Sequence, residues 1–84
     1  MTRKNNNYIT MAKELKQYFG ENVRLLSDNG HTYVGKVGDV IEGKYNEPSY
    51  EDCIILDYPT RDDGKKEEYP IQFNESEIVS ITII

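Results

Sequence analysis

The sequence predicts a mainly β protein, in which an N-terminal helix precedes five strands that form a small, strongly bent antiparallel barrel. Three observations support this fold class. Residues 23–43 have the pattern of a hairpin whose second strand contains two glycines, residues 9–19 alone have helical periodicity, and short apolar runs alternate with polar loops afterwards. The chain of 84 residues suffices for one modest core, so we predict a single domain over residues 1–84, with the barrel at 23–84.

The N-terminal part divides into two segments. Residues 1–7 are polar, and we expect them to be flexible. Over residues 9–19 apolar side chains recur at steps of three and four, which predicts an amphipathic helix of about three turns. Its apolar face would cover an open end of the barrel, and Gly20 suits the left-handed position that ends a helix. The apolar positions are Ile9, Ala12, Leu15 and Phe19.

The first hairpin has a clear turn signal. Asp28, Asn29 and Gly30 tolerate the positive φ that a tight hairpin turn requires. In the following strand, Gly35 and Gly38 stand where side chains would otherwise occupy the pleat, which predicts a sharp bend or a close backbone approach.

Three further strands follow a turn-rich loop at 43–52. A polar loop and a short turn separate them, and Pro70 places the fourth strand at an edge because proline cannot donate to a ladder. The strands are predicted at 53–58, 69–73 and 78–84, the loop at 59–68 and the turn at 74–77.

The last strand predicts association. Its apolar residues fall on both faces, although a half-exposed strand should alternate, so either another subunit or the N-terminal helix must cover it. We expect pairing between subunits, and we expect Ile81→Glu to break it. The predicted interface comprises Tyr69, Ile71, Phe73, Ile78, Val79, Ile81 and Ile83.

Charge and composition narrow the function. The net charge is −5; residues 1–24 carry five basic and two acidic groups, and residues 25–84 carry five basic and thirteen acidic groups. Such a chain is not an indiscriminate nucleic-acid binder. The N-terminus lacks a signal-peptide pattern and no stretch has membrane-spanning length, so we expect a cytoplasmic protein. Ala12 is the only alanine, while Ile, Asn, Lys and Tyr abound, which favours a low-GC bacterial source.

No residue set points to catalysis. His31, the sole histidine, falls in a hairpin turn, and Asp62 and Asp63 lack the spacing of a calcium loop. Cys53 is the only cysteine, which excludes an intramolecular disulfide and a cysteine-based zinc site. We therefore expect no enzyme, no metal and no cofactor.

The order of elements and several residues resemble the Sm and Sm-like family, which includes the bacterial RNA chaperone Hfq. The resemblance covers residues 15–81 and implies a bent five-stranded barrel that assembles into a ring through its last two strands. Other small SH3-like barrels share most of the motif. The matching residues are Val23, Leu25, Gly30, Tyr33, Gly35 and Val37, then Cys53–Leu56, and finally Phe73–Ile81.

The resemblance also implies a site for single-stranded RNA. The family's base-holding asparagine falls on Asp52 or Cys53, and its aspartate falls on Ile41. Where the family has Arg-Gly or Lys-His, this chain has Asn74 and Glu75, which exchanges a cation for a carboxylate and weakens the RNA prediction. Helix residues and a tyrosine beside a lysine complete the candidates: Lys13, Lys16, Gln17, Tyr33, Lys36, Asp52, Cys53 and Asn74.

Two functions stay open at this point. The first is an Sm-like homo-oligomeric scaffold, a ring with a role in RNA binding. The alternative is an SH3-like protein–protein interaction module that uses its acidic surface without nucleic acid. A ring is required only by the first, so the mass in solution separates them.

Overall fold

The computed structural model describes residues 15–84, and these form one antiparallel sheet. Its order is β4-β3-β2-β1-β5, so each strand except the terminal two has a neighbour on both sides. The mainly β fold with five antiparallel strands is thereby confirmed. The strands are β1 (Asn22–Ser27), β2 (Thr32–Ile41), β3 (Cys53–Arg61), β4 (Ile71–Asn74) and β5 (Ile78–Ile83), and short 3-10 turns occupy Leu15–Tyr18, Gly43–Tyr45 and Glu75–Glu77.

The predicted N-terminal helix is not found in the described chain. Residues 15–18 form a single 3-10 turn, whereas the start of the predicted helix at 9–14 and the segment 1–7 lie outside the described residues. Backbone pairing to β2 accounts for the difference. The Gly20 N–H donates to the Val37 carbonyl, and the Val37 N–H donates to the Glu21 carbonyl, so the chain is already attached to the sheet there. Leu15 is buried in the core, and this contact fixes the turn.

The bend of β2 lies at the predicted glycines. The register with β3 shifts between Val34 and Lys36 and again between Val37 and Asp39, so each shift spans one glycine. A Cβ on Gly35 would lie 3.1 Å from Pro59, which is closer than such contacts normally are. The long strand can therefore serve two halves of the barrel.

Strand β3 is longer than the sequence indicates. It continues past residue 58 to Arg61, because Tyr58 adopts a φ of 45° and the next residue, Pro59, is buried opposite Gly35. Strand β4 begins at Ile71 instead of Tyr69. Pro70 precedes that start, and its missing N–H prevents the ladder from beginning earlier.

The core lies between the two halves of the bent sheet. Tyr33 and Phe73 pack with their rings 5.0 Å apart and tilted by 58°. The remaining core side chains are aliphatic, and they come from every strand and from the N-terminal turn. The buried cluster contains Leu15, Val23, Leu25, Tyr33, Val37, Ile54, Leu56, Phe73 and Ile78.

A register shift between β1 and β5 determines which apolar residues of β5 face the core. Ile78 lies opposite Ser27 and Ile81 lies opposite Leu25, so both face the core side of the sheet. The shift falls between Leu26 and Ser27, and it changes the alternation that a regular strand would show.

Three apolar side chains at and after β5 stay in solvent. Val79 is 59% exposed and Ile83 is 48% exposed, and Ile84 is exposed after the strand. Strands β4 and β5 are the ends of the sheet and do not pair with each other in the described chain. The molecule thus has two open strand edges, one short and one with exposed apolar residues.

Candidate binding site at the β2–β3 loop

The loop between β2 and β3 is fixed against the turn between β4 and β5. The Glu75 N–H donates to the Asp52 carbonyl over 2.9 Å. The Glu51 carboxylate accepts from the backbone N–H of Ser76 over 2.8 Å and from its hydroxyl over 3.1 Å. Together the two segments, residues 42–52 and 75–77, form the rim of the barrel.

Neutral amides hold the inner side of the rim. The Asn46 side-chain nitrogen donates to the Glu51 carbonyl over 2.8 Å and to Asn74 Oδ1 over 3.1 Å. Gln72 Nε2 donates to Asn46 Oδ1 over 3.2 Å. Asn74 also caps the turn, because its N–H donates to the Glu77 carboxylate over 2.8 Å. These bonds fix the loop conformation without using a charge pair.

A cleft of about 420 Å³ opens between the rim and the N-terminal turn. The Gly43 N–H donates to Asp52 Oδ1 over 2.8 Å, which orients that carboxylate in the cleft wall. A side chain at Gly43 would collide with the carbonyl of Tyr50, and Tyr50 itself has a φ of 56°. The lining residues are Lys16, Glu42, Gly43, Lys44, Tyr50 and Asp52.

Glu42 forms ion pairs with the two lysines of the cleft. Its Oε2 lies 2.7 Å from Lys16 Nζ, and its Oε1 lies 3.8 Å from Lys44 Nζ. The hydrogen bond between Lys16 and Glu42 raises the pKa of the ammonium group and lowers the pKa of the carboxyl group. Both side chains are exposed, so water screens this pair.

The rest of the rim has a negative field. Burial raises the pKa of Glu75, and the neighbouring carboxylates of Asp52 and Glu51 raise it further. Burial also raises the pKa of the Cys53 thiol. The charged side chains of the rim are the carboxylates of Glu42, Glu47, Glu51, Asp52, Glu75 and Glu77, with Lys44 as the only cation in these two segments.

The structure brings several of the predicted RNA-binding residues to this end of the barrel. Lys16 and Asp52 line the same cleft, and Cys53 lies opposite Asn74 in the β3–β4 register. Gln17 lies next to Lys16 in the 3-10 turn, and Lys13 falls outside the described residues.

Two predicted RNA-binding residues lie elsewhere. Tyr33 is buried against Phe73, and its hydroxyl accepts from the Asn29 side chain over 3.1 Å. Lys36 is exposed on β2 opposite Asp57 in β3. Neither side chain is part of the rim.

Sequence reasoning missed five residues of the site, namely Glu42, Gly43, Lys44, Asn46 and Tyr50. Gly43 and Asn46 belong to a stretch rich in turn formers, which predicts a loop but not its hydrogen bonds. Tyr50 carries no sequence signal, because its left-handed backbone is unusual for an aromatic residue. Only the length of the loop indicated that it holds more than a simple turn.

Within residues 15–84, no group of three or more His, Cys, Asp and Glu side chains could hold a metal ion. No helix in this part of the chain is long and apolar enough to cross a membrane. His31 Nδ1 lies 2.9 Å from Asp62 Oδ1, on the exposed side of the hairpin turn.

The bent antiparallel sheet with two open terminal strands is that of a small β-barrel protein, and its fold is Sm-like. The structure resembles the crystal structure of a novel Sm-like archaeal protein from Pyrobaculum aerophilum, with a TM-score of 0.65 and 22% sequence identity. The match covers 87% of this chain and 50% of the archaeal chain, so this chain spans about half of the length of that protein. No protein-family model matches the sequence. No curated protein matches it either.

Proposed function

We propose that this protein is a non-enzymatic Sm-like scaffold that assembles into a homo-oligomeric ring by pairing β4 of one subunit with β5 of the next. The observation that carries the proposal is the pair of open edges at the two ends of one sheet. Each edge presents unpaired backbone N–H and C=O groups, and such edges join sheets unless they are covered.

The two edges are different surfaces, so their contact is heterologous. A head-to-tail contact of this kind forms a closed ring when the rotation between subunits closes, and a filament when it does not. Strand β4 has four residues and β5 has six, so β4 can pair along its whole length.

The predicted interface residues contribute unequally to this contact. Tyr69, Val79 and Ile83 are exposed and are free to contact a neighbouring subunit. Phe73 and Ile78 belong to the buried core, while Ile71 and Ile81 pack against it. A charge at residue 81 would therefore destabilise the subunit as well as the contact, and Ile83 is the better position for a test.

The test is Ile83→Glu, followed by light scattering coupled to size exclusion over a range of protein concentrations. The substitution changes an exposed residue of the free subunit, but in the ring it buries an unpaired charge, which costs several kcal/mol. We expect loss of the oligomer with the fold retained. Thr60→Glu is the control, because it adds the same charge to an exposed position of β3 inside the sheet. A wild-type monomer at every concentration, or an unchanged ring in Ile83→Glu, would contradict the proposal.

The ligand held by the scaffold is the second part of the proposal. The rim's excess of carboxylates repels phosphate and attracts cations, so it favours a protein partner over RNA. Single-stranded RNA is the competing candidate, because Lys16, Asp52, Cys53 and Asn74 lie at this end of the barrel. Titration with U-rich and A-rich oligonucleotides at physiological salt decides this part. Saturable binding that Lys16→Met weakens would reverse it in favour of RNA.

A further inference from the structure

We infer that the cleft is a binding site for an arginine side chain in a basic segment of a partner protein, with Asp52 as the acceptor and Tyr50 as the stacking surface. The inference rests on the proposed protein-binding role of the rim. It does not depend on the ring, because every lining residue comes from one subunit.

The Asp52 carboxylate is held in place by a hydrogen bond to one of its two oxygens. One carboxylate oxygen, Oδ1, accepts the Gly43 N–H over 2.8 Å. The hydrogen bond from Gly43 uses only this oxygen, and no donor of residues 15–84 contacts the other oxygen, Oδ2, in the cleft wall. A carboxylate that the backbone already holds in place loses little freedom when a ligand donates to its second oxygen.

Tyr50 offers an aromatic ring at the same place. The residue is 60% exposed, and it is held by a hydrogen bond from its N–H to the Asn46 carbonyl over 2.8 Å. Its left-handed backbone, with a φ of 56°, is a conformation that a tyrosine rarely adopts. Strained backbone of this kind is concentrated at binding sites. A planar guanidinium can stack on such a ring and donate to a carboxylate at the same time.

The lysines of the cleft do not cancel its attraction for a cation. Glu42 lies between Lys16 and Lys44 and contacts both ammonium groups. Lys44 also lies over the Tyr45 ring, with its nitrogen 5.1 Å from the ring centroid. These contacts hold the lysines on the Glu42 side. The Asp52 carboxylate also contributes to the raised pKa of Lys16, after Glu42, but it forms no ion pair with a cation of residues 15–84.

The surroundings add a negative field at this point. Burial raises the pKa of Glu75, and the nearby carboxylates of Asp52 and Glu51 raise it further. A guanidinium in the cleft would relieve part of that repulsion, whereas a phosphate would increase it.

Matched small probes test the inference without an identified partner. N-acetyl-arginine amide is titrated into the full chain, and backbone amide signals are followed by NMR. Nα-acetyl-citrulline amide has nearly the same shape without the charge. Nα-acetyl-lysine amide keeps the charged side chain but lacks the planar group. We expect saturable shifts at Gly43, Tyr50 and Asp52 with the arginine probe, weaker shifts with lysine, and none with citrulline.

Two variants that remove the same charge distinguish a specific contact with Asp52 from non-specific attraction by the negative charge of the loop. Asp52→Asn and Glu47→Gln each remove one negative charge from the same loop, but only Asp52 lines the cleft. We expect Asp52→Asn to weaken arginine binding by about tenfold, because a hydrogen bond to a charged group is lost, and Glu47→Gln by less than about twofold. Equal losses would overturn the inference.

The Tyr50 variants cover the case in which Asp52→Asn disturbs the loop. Tyr50→Phe keeps the ring and should retain binding, and Tyr50→Ala should weaken it by about threefold. Equal effects of the two Tyr50 variants, equal shifts with citrulline, or shifts at these amides with uridine monophosphate but not with arginine would each overturn the inference. The proposed ring fails separately, because light scattering of the same samples reports the mass whether or not arginine binds.

Discussion

The two ends of the β2–β3 pair use charge in different ways. At one end, near the Tyr33 and Arg61 pair, the β1–β2 turn meets the loop after β3; residues 28–31 and 61–65 form the clasp. The Arg61 guanidinium contacts the Asp63 carboxylate over 2.6 Å. The Asp62 N–H donates to the Thr32 carbonyl over 2.8 Å. At the other end, near Ile41 and Cys53, the rim is held by the Asn46 amide and by carboxylates that accept from neutral N–H groups.

The difference shows in the pKa values of the carboxyl groups. The hydrogen bond from Arg61 lowers the pKa of Asp63, and the hydrogen bond from the His31 ring lowers the pKa of Asp62. At the rim, burial and neighbouring carboxylates raise the pKa of Glu75. Ionisation of Asp62 and Asp63 therefore stabilises the clasp, whereas ionisation of Glu75 opposes folding at the rim. The rim has more carboxylates than cations, and we assign this excess of negative charge to the binding of a partner.

The largest expected effect is the loss of stability when a glycine of the rim is replaced, compared with replacement of a glycine of the clasp. Gly43→Ala places a Cβ against the backbone of Tyr50 and Glu51, so the rim must move, and we expect a loss of about 2–3 kcal/mol in the free energy of unfolding. Gly64→Ala in the clasp meets no atom within 4 Å but has a φ of 90°, and we expect about 1–2 kcal/mol. Urea unfolding of both variants measures the difference. A larger loss for Gly64→Ala would mean that the rim yields easily and is not a rigid site.

A smaller effect is expected from the ion pair of the clasp. Asp63→Asn removes a partner of both Arg61 and the Lys65 N–H, so stability should fall at neutral pH, by less than in Gly64→Ala because the pair is exposed. A lowered folded-state pKa gives stability that is present above the unfolded value of about 3.9 and is lost as the pH falls through the folded value. The difference between wild type and variant should therefore vanish in strong acid. Thermal unfolding over an acid pH series is the measurement, and a difference independent of pH would exclude the ionic explanation.

The smallest effect has the opposite sign. Glu75→Gln removes a carboxylate whose raised folded-state pKa disfavours its charged form, so the variant should be more stable at neutral pH, by about 0.5 kcal/mol or less. The gain should appear as the pH rises above the unfolded value of about 4.3 and should be absent below it. The same pH series tests it, with Glu47→Gln as the control for net charge. A loss of stability in Glu75→Gln at neutral pH would contradict the negative field at the rim.

Local sequence signals predicted the parts of the fold that local chemistry decides. Gly30 has a φ of 91° in the first turn, a backbone that few other residues accept, and Gly35 and Gly38 lie at the bends of β2. The predicted helix depended on periodicity alone, and its described end is instead held by backbone bonds to β2. Long-range pairing, which a single segment does not encode, overrode the local pattern there.

The site could be predicted only in outline. The resemblance placed Asp52 and Asn74 near a ligand, and both lie at this end of the barrel. Which oxygen of Asp52 remains free depends on the Gly43 N–H, and the position of the Tyr50 ring depends on its backbone angle. Such details arise from the packing of two loops that are distant in sequence.

The pairing of β2 with β3 also brings together Gly38 and Asp57, which are distant in sequence. The Asp57 carboxylate lies in the space that a Cβ on Gly38 would need, so a side chain at residue 38 requires the Asp57 side chain to move away or to be shorter. In related chains these two positions should covary, with a small residue at one whenever the other carries a side chain. In a double-mutant cycle of Gly38→Ala and Asp57→Gly, the combined loss should be smaller than the sum of the single losses.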